Sequence, residues 1–88
     1  MLRITVDPSP DGSVVRMAGR LAGEVLEEAE PVRLSAEPPL LIDARKLQGA
    51  DADGIAFLAA ILDGGGRVDG LSEYLSMRVA SLREGRSG

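Results

Sequence analysis

The sequence predicts a single small α/β domain in which about three helices pack on a mixed four-stranded sheet. Three observations lead to this fold class. Short segments with strand-like patterns alternate with longer segments that carry apolar residues at helical spacing. Gly and Pro residues separate these segments. The chain has 88 residues, 44% of them hydrophobic, which suffices for one core and not for two. The predicted order is β-β-α-β-α-β-α, with residues 1–84 as the domain and 85–88 as a mobile tail.

The first two elements are predicted to form an antiparallel hairpin. Leu2–Val6 alternates apolar and polar side chains, which is the pattern of a half-buried strand. Asp7–Gly12 contains two prolines and an Asp-Gly pair, so we expect the chain to reverse there. Ser13–Leu21 is predicted to be the second strand, with a bend or a close backbone approach at Gly19.

An amphipathic helix and a buried strand are predicted next. Gly23–Leu34 places apolar residues at helical spacing among four glutamates, which indicates the first helix. Pro31 lacks the amide that an interior helix position needs, so this helix is expected to stop or kink near Glu30. After a Pro-Pro pair, the apolar run Leu40–Ala44 is typical of a strand covered on both faces, and we interpret it as the central strand.

The second helix is predicted at Gly54–Leu62, where apolar residues share one face and Asp51 and Asp53 stand in front as candidate N-caps. Gly64-Gly65-Gly66 is expected to end this helix, because glycine adopts the left-handed conformation without steric cost. Arg67–Asp69 has room for only a brief edge strand.

A third helix is predicted from Glu73 to about Arg83. Ser72 is its expected cap, and the inward-facing residues are expected to be Leu75, Val79 and Leu82. Met17 and Met77 are interpreted as gap-fillers of the core.

Composition excludes several classes of function. With no Cys and no His, the chain has no thiolate nucleophile, no imidazole base and no Cys or His ligand for zinc. We therefore expect no enzymatic activity, no cofactor and no metal. A net charge of −4 with a single Lys argues against nucleic-acid binding. No apolar run is long enough to span a membrane and the N-terminus lacks a signal-peptide core, so a cytoplasmic protein without membrane insertion is expected.

The segment with most bearing on function leads from the central strand into the second helix. Residues Arg45–Gly54 are predicted to be a connecting loop. In open α/β sheets, ligands contact the loops that follow the carboxyl ends of parallel strands. Free amides at a helix N-terminus also favour an anion. A binding site is therefore predicted near Asp51–Gly54.

The residues of Asp51-Ala52-Asp53-Gly54 leave three interpretations open. One aspartate simply caps the helix, which needs no partner. The Asp-x-Asp spacing suggests a metal, although the further oxygen ligands of an EF-hand loop do not follow. Paired carboxylates also serve acid–base catalysis, but this chain offers no pocket-forming aromatics around them.

This region resembles the signature of the STAS domain family (sulfate transporter and anti-sigma factor antagonist). The family pattern is an apolar strand ending in Asp, a small connector, Asp-Ser-Ser/Thr-Gly opening a helix rich in Leu and Ala, a Gly turn and a short strand. The corresponding residues here are Leu40–Asp43, Gly49–Leu58 and Gly64–Val68, and Gly19–Gly23 resembles the Gly-x-Leu bend before the family's first helix. The similarity covers roughly residues 13–82.

The resemblance implies a non-enzymatic module that binds a protein partner. The implied contact residues are Asp51, Ala52, Asp53, Gly54, Ile55 and Leu58. Two partners are implied: an ATP-binding anti-sigma kinase, as for anti-sigma factor antagonists, or the ATPase of a bacterial lipid or solvent ABC transporter, as for small STAS accessory subunits. Homodimer formation is left open.

The resemblance also raises the question of a phosphorylation switch. In many family members a kinase phosphorylates the Ser or Thr after the motif's Asp, and the added charge weakens the complex. Here Ala52 and Asp53 occupy the two hydroxyl positions, so neither accepts phosphate. We expect a permanently competent docking module, in which Asp51→Arg weakens binding and leaves the fold intact.

Overall fold

The computed structural model describes residues 2–36 and 38–86. Its elements, in chain order, are β1 (Leu2–Ser9), β2 (Gly12–Leu21), a 3-10 turn (Gly23–Val25), α1 (Leu26–Ser35), β3 (Leu40–Ala50), α2 (Ala52–Asp63), β4 (Arg67–Asp69) and α3 (Glu73–Arg86). The sheet has the strand order β1-β2-β3-β4. Its first pair is antiparallel and the other two are parallel. The predicted fold class and the predicted order of elements are confirmed.

The predicted hairpin is present, and its strands are longer than expected. β1 continues through Pro8 to Ser9, so that only Pro10 and Asp11 remain in the turn. Pro8 lies opposite Ser13, whose amide donates to the Pro39 carbonyl at 3.2 Å and not to β1. Because that position needs no amide from Pro8, the missing donor does not interrupt the strand.

Of the two expected outcomes at Pro31, a stop or a kink of the first helix near Glu30, the stop is wrong. α1 continues to Ser35 with Pro31 inside it. Pro31 removes the amide that would bond the carbonyl of Glu27, four residues earlier. Both residues are exposed, so water can satisfy that carbonyl. Ala29, on the opposite side of the helix, is fully buried and holds the helix on the core.

The central strand is also longer than predicted, because it includes most of the expected loop. β3 extends to Ala50 through two register shifts, and in each of them β3 carries one extra residue relative to β2. Its expected coverage on both faces is wrong. Ile42 and Ala44 are buried on the core face, while the alternate residue Asp43 lies on a polar face that remains partly open.

The core lies between the helices and that one face of the sheet. Its largest fully buried side chains come from β2, β3 and α2, namely Val15, Leu21, Ile42 and Leu58. The predicted inward positions of α3 are confirmed for Leu75 and Val79, with Leu82 packed partly against them. Burying each such aliphatic side chain stabilises the fold by about 1.5 to 3 kcal/mol.

Met17 and Met77 have different environments. Met17 is buried, as predicted, whereas Met77 is 66% exposed. Met77 follows the buried Leu75 by two residues and therefore lies on the other side of α3. The interpretation of Met77 as a core residue is wrong.

The helix ends in the second half of the chain follow the predicted chemistry. Gly65 has a φ of +93° after α2, and its amide donates to the Leu62 carbonyl at 3.1 Å. Ser72 Oγ accepts a hydrogen bond from the Leu75 amide at 3.2 Å, which confirms the predicted cap of α3. α3 continues past its predicted end to Arg86, and the last two residues of the predicted tail, 87 and 88, lie outside the described residues. Within residues 2–36 and 38–86, no helix is long and apolar enough to cross a membrane.

The tight contact at the start of α2 generates a first prediction. An added Cβ on Gly54 would collide with the carbonyl oxygen of Leu21. Alanine is ordinarily the better helix residue by about 1 kcal/mol, yet we expect Gly54→Ala to lower the free energy of unfolding by about 1 to 3 kcal/mol because of overpacking. Urea unfolding followed by circular dichroism measures the change. Gly85→Ala, in α3 with nothing within 4 Å of the added Cβ, is the control and should be neutral or stabilising. Equal effects at both positions would contradict the prediction.

Candidate functional site

The centre of the candidate site is Asp51, which caps α2. Its Oδ1 accepts a hydrogen bond from the Gly54 amide at 2.8 Å, and its Oδ2 accepts one from the Gly23 amide at 2.9 Å. The Asp51 amide donates to the Leu21 carbonyl at 3.1 Å. These bonds join the β3–α2 junction to the segment between β2 and α1. Of the two candidate N-caps, Asp51 is confirmed, and Asp53 lies inside the first turn of the helix.

Two glycines lie where these segments meet, and Gly54 makes the close backbone contact. A Cβ on Gly23 would lie 2.6 Å from Asp53 Oδ2, and a Cβ on Gly54 would collide with the Leu21 carbonyl. The Leu21 carbonyl belongs to the backbone, so Gly54 requires glycine for reasons of space, whereas the exposed Asp53 side chain can turn away from a Cβ at position 23. Leu21 of the Gly-x-Leu bend and Gly54 at the end of the Asp51–Gly54 tetrapeptide therefore form one close contact.

The Asp51 carboxylate is held in its charged form. Hydrogen bonds from the Gly23 amide and then from the Gly54 amide lower its pKa below the ordinary value, with a smaller contribution from the charge of Arg20. The positive end of the α2 dipole favours a carboxylate at the same place. At neutral pH both oxygens are therefore acceptors.

The structure divides the six predicted contact residues into two groups. Ala52 and Asp53 are exposed and Asp51 is half-buried. Gly54 is buried, and Ile55 and Leu58 are 3% and 0% exposed within the core. These three support the fold and expose little or no surface to a partner. Asp51→Arg would remove both hydrogen bonds of the carboxylate and lower the stability of the fold, so this substitution does not change the binding surface alone.

Two shallow surfaces flank Ala52 and Asp53. On one side, a polar hollow is lined by Arg20, Ala22, Gly23, Glu24, Asp51 and Asp53. On the other, a groove is lined by Ala52, Ile55, Arg78, Ser81 and Leu82. Both contain residues that sequence reasoning did not find, because they come from β2, the 3-10 turn and α3.

Arg78 is the clearest of the residues that sequence reasoning missed. Its Nη1 donates to the Ala50 carbonyl at 2.9 Å, at the end of β3. Its guanidinium carbon also lies 5.8 Å from the centre of the Tyr74 ring, within the range of a cation–π contact. No local pattern links Arg78 to Ala50, since 28 residues separate them. The arginine thereby fixes α3 beside the first turn of α2.

A second polar cluster lies on the open face of the sheet, around Asp43. The carboxylate accepts hydrogen bonds from Arg45 Nε at 3.0 Å and Nη2 at 2.8 Å, and these bonds lower the pKa of Asp43 to about 2. Gly70, at a φ of +84°, packs closely against the Arg45 backbone in the first β3 bulge. The surrounding hollow has a volume of about 340 Å³ and is lined by Arg3, Thr5, Arg16, Met17, Ala18, Asp43, Arg45 and Lys46.

Comparison with known proteins does not assign the chain to a family. A scan against protein-family models gave no match, and a search of curated proteins gave none either. Among the residues that the structure describes, no three acidic side chains lie close enough together to hold a metal ion. What the geometry does provide at Ala52 and Asp53 is a small, rigid, exposed surface.

The double hydrogen bond of Asp51 generates a second prediction. We expect Asp51→Ala to lower Tm by roughly 4 to 8 °C, the change that loss of one ordinary helix cap causes in a domain of this size. Asp51→Asn keeps a single acceptor oxygen, so its Tm should lie between those of the wild type and Asp51→Ala. Differential scanning calorimetry at pH 7 measures both. The control is Asp53→Ala, which removes an exposed carboxylate of the same turn and should change Tm less than either.

The same carboxylate sets a pH dependence. A carboxyl group whose pKa is lowered by folding stabilises the folded state fully above its unfolded pKa, about 3.9, and this contribution is lost as pH falls through the folded value. The Tm difference between the wild type and Asp51→Asn should therefore be larger at pH 7 than at pH 2. Thermal unfolding at the two pH values tests this, and an unchanged difference would contradict the role of the charge.

Proposed function

We propose that this protein is a non-enzymatic docking module, similar to the anti-sigma factor antagonists of the STAS domain family, that binds a protein partner at the N-terminal end of α2. The observation that carries the proposal is the bridging of Gly23 and Gly54 by Asp51. This bridge fixes the exposed Ala52 and Asp53 beside the β2–α1 junction, at the position where the resemblance puts the partner contact.

The surface around these two residues has the properties of a docking site. It is ordered before binding, because Asp51 and Arg78 hold its three segments together, and preorganisation lowers the entropic cost of association. Arg78 lines the groove from α3 and contacts the ring of the exposed Tyr74, and both residue types are enriched among interface hot spots. The hollow on the other side brings Arg20 and Glu24 together, which supplies charges of both signs at the rim.

Ala52 supports permanent docking over a phosphorylation switch. Its exposed methyl group occupies the position of the family's hydroxyl and cannot accept phosphate. Asp53 supplies a single charge where a phosphate supplies nearly two. A subunit that stays bound to an ABC transporter ATPase is therefore the second candidate, beside binding to an anti-sigma kinase. Both partners that the resemblance names act in the cytoplasm, so the proposal includes that location.

Substitution of Ala52 tests the surface. Ala52→Glu adds bulk and charge at the centre of the proposed contact, while an acidic residue in the first turn suits the helix dipole and preserves the fold. In affinity purification from the source cells, the wild-type bait should enrich an anti-sigma kinase or an ABC ATPase. Binding of that protein to Ala52→Glu, measured by titration calorimetry, should be at least about tenfold weaker.

Ala80→Glu is the matched control, since Ala80 is the other exposed alanine of the described helices. It should bind as the wild type does. Equal binding by Ala52→Glu and the wild type would show that the N-terminal end of α2 is not the docking site.

A second variant separates the two candidate partners. Ala52→Ser restores the hydroxyl at an exposed position of the first helical turn. When this variant is incubated with the purified partner and ATP, an anti-sigma kinase should transfer phosphate to it and none to the wild type. Mass spectrometry detects the added phosphate. Retained binding without phosphate transfer would favour the transporter ATPase.

A further inference from the structure

β1 is a long edge strand. The strand order puts β1 at one edge of the sheet and β4 at the other, and they contain eight and three residues. The outer edge of such a strand presents unpaired amides and carbonyls, which makes it a template for a further strand. Within the part of the chain that the structure describes, β2 is the only strand that pairs with β1.

The backbone bonds of β2 show which residues of β1 face the free edge. The Ser13 amide donates to Pro39, and the Leu21 carbonyl accepts from Asp51, so the odd-numbered residues of β2 direct their polar groups away from β1. The even-numbered residues of β2 therefore bond β1, and their partners there are Arg3, Thr5 and Asp7. The alternate residues Leu2, Ile4, Val6 and Pro8 direct their backbone groups to the free edge.

We propose that β1 pairs antiparallel with β1 of a second copy of this chain, about a two-fold axis at Thr5. The product is a continuous eight-stranded sheet with four strands from each copy. Ile4 then lies opposite Val6 of the second copy, and this pair exchanges two backbone hydrogen bonds. The Leu2 amide reaches the carbonyl of Pro8 in the second copy. Pro8 has no amide to donate, which suits a residue at the end of the ladder.

The side chains are self-complementary in this register. On the open face of the sheet, Arg3 lies opposite Asp7 of the second copy, and symmetry repeats the pair. Arg3 is exposed and forms no ion pair among the described residues, while the Asp7 side chain keeps 46% exposure beside its Arg16 contact. On the core face, Val6 is a 42% exposed apolar side chain that the half-buried Ile4 of the second copy would cover.

Other registers lack this match. A shift that moves the axis to Ile4 sets Arg3 opposite Thr5, and a shift to Val6 sets it opposite Ser9. If the axis lay between two residues, each even-numbered residue would lie opposite an odd-numbered one. Backbone groups that face the free edge would then meet groups that face β2, and the two could not bond. The register centred on Thr5 is the one that pairs Arg3 with Asp7.

A cysteine at the axis tests the pairing directly. The chain contains no cysteine, so Thr5→Cys provides a single thiol. Residues opposite each other in a non-hydrogen-bonded antiparallel pair have Cα atoms about 4.5 Å apart, within the range for a disulfide. Under mild oxidation at low protein concentration, we expect most of this variant to form a covalent dimer. Ala80→Cys, on exposed α3, is the control, and equal cross-linking by the two variants would overturn the proposal.

Charge substitutions test the register. In analytical ultracentrifugation the wild type should reach twice its 9.2 kDa mass as concentration rises. Arg3→Glu and Asp7→Lys should each raise the dimer dissociation constant about tenfold or more, because each puts two like-charged pairs opposite one another. Mixing the two variants restores both attractions, so a heterodimer of near wild-type affinity is expected.

Arg67→Glu and Asp69→Lys make the same charge changes on β4, the other edge, and should leave dimerisation unchanged. A wild type that stays monomeric at its highest soluble concentration would overturn the proposal. A dimer that Arg3→Glu and Asp7→Lys leave intact would overturn the register. The interface does not contain Ala52 or Asp53, so these results and those on the docking site are independent.

Discussion

The carboxylate of Asp51 lies where β2 and β3, paired in parallel up to Leu21 and Ala50, leave the sheet together. Both strands lead almost at once into helical turns, so the partly buried amides of Gly23 and Gly54 point to the same place. A buried amide without a partner costs about as much as a lost hydrogen bond, so the two turns need acceptors in the same place. One carboxylate supplies two acceptor oxygens, one for each turn. A hydroxyl cap has a single oxygen and would accept with good geometry from one turn only. The packing of α2 on the sheet, with Leu58 and Ala59 at the centre of the core, depends on this junction.

The need for acceptors at this junction explains why the residues of Asp51–Gly54 have different roles. Asp51 and Gly54 are committed to the junction, one through its oxygens and the other through its lack of a side chain. Ala52 and Asp53 have no comparable structural role and are exposed, so they can be substituted to suit a partner without disturbing the junction. The capping interpretation and the docking interpretation of this tetrapeptide therefore apply to different residues, and they do not compete.

The sequence was informative where local chemistry decides the structure. The hairpin, the cap at Asp51, the glycine turn after α2 and the brief strand β4 all follow from residue types and spacing. It was misleading where a distant contact decides. α1 continues past Pro31 because Ala29 packs on the core while Pro31 faces water, and β3 continues to Ala50 because β2 pairs with it through two bulges. For the site, sequence indicated the correct segment. It could not show that Ile55 and Leu58 face the core, nor that Gly23 and Arg78 reach this segment from elsewhere in the chain.

The unequal lengths of the two sheet edges limit how the protein can associate. A sheet with two long free edges can accept a strand on each side, and repeated addition leads to an open-ended fibre. In this fold β4 offers only three residues, two of them charged, which is too little for a stable ladder. Strand addition is therefore confined to one side, where a two-fold pairing leaves no long edge unused. Addition of strands therefore ends after one pairing, so the fold can keep an accessible edge strand without nucleating aggregation.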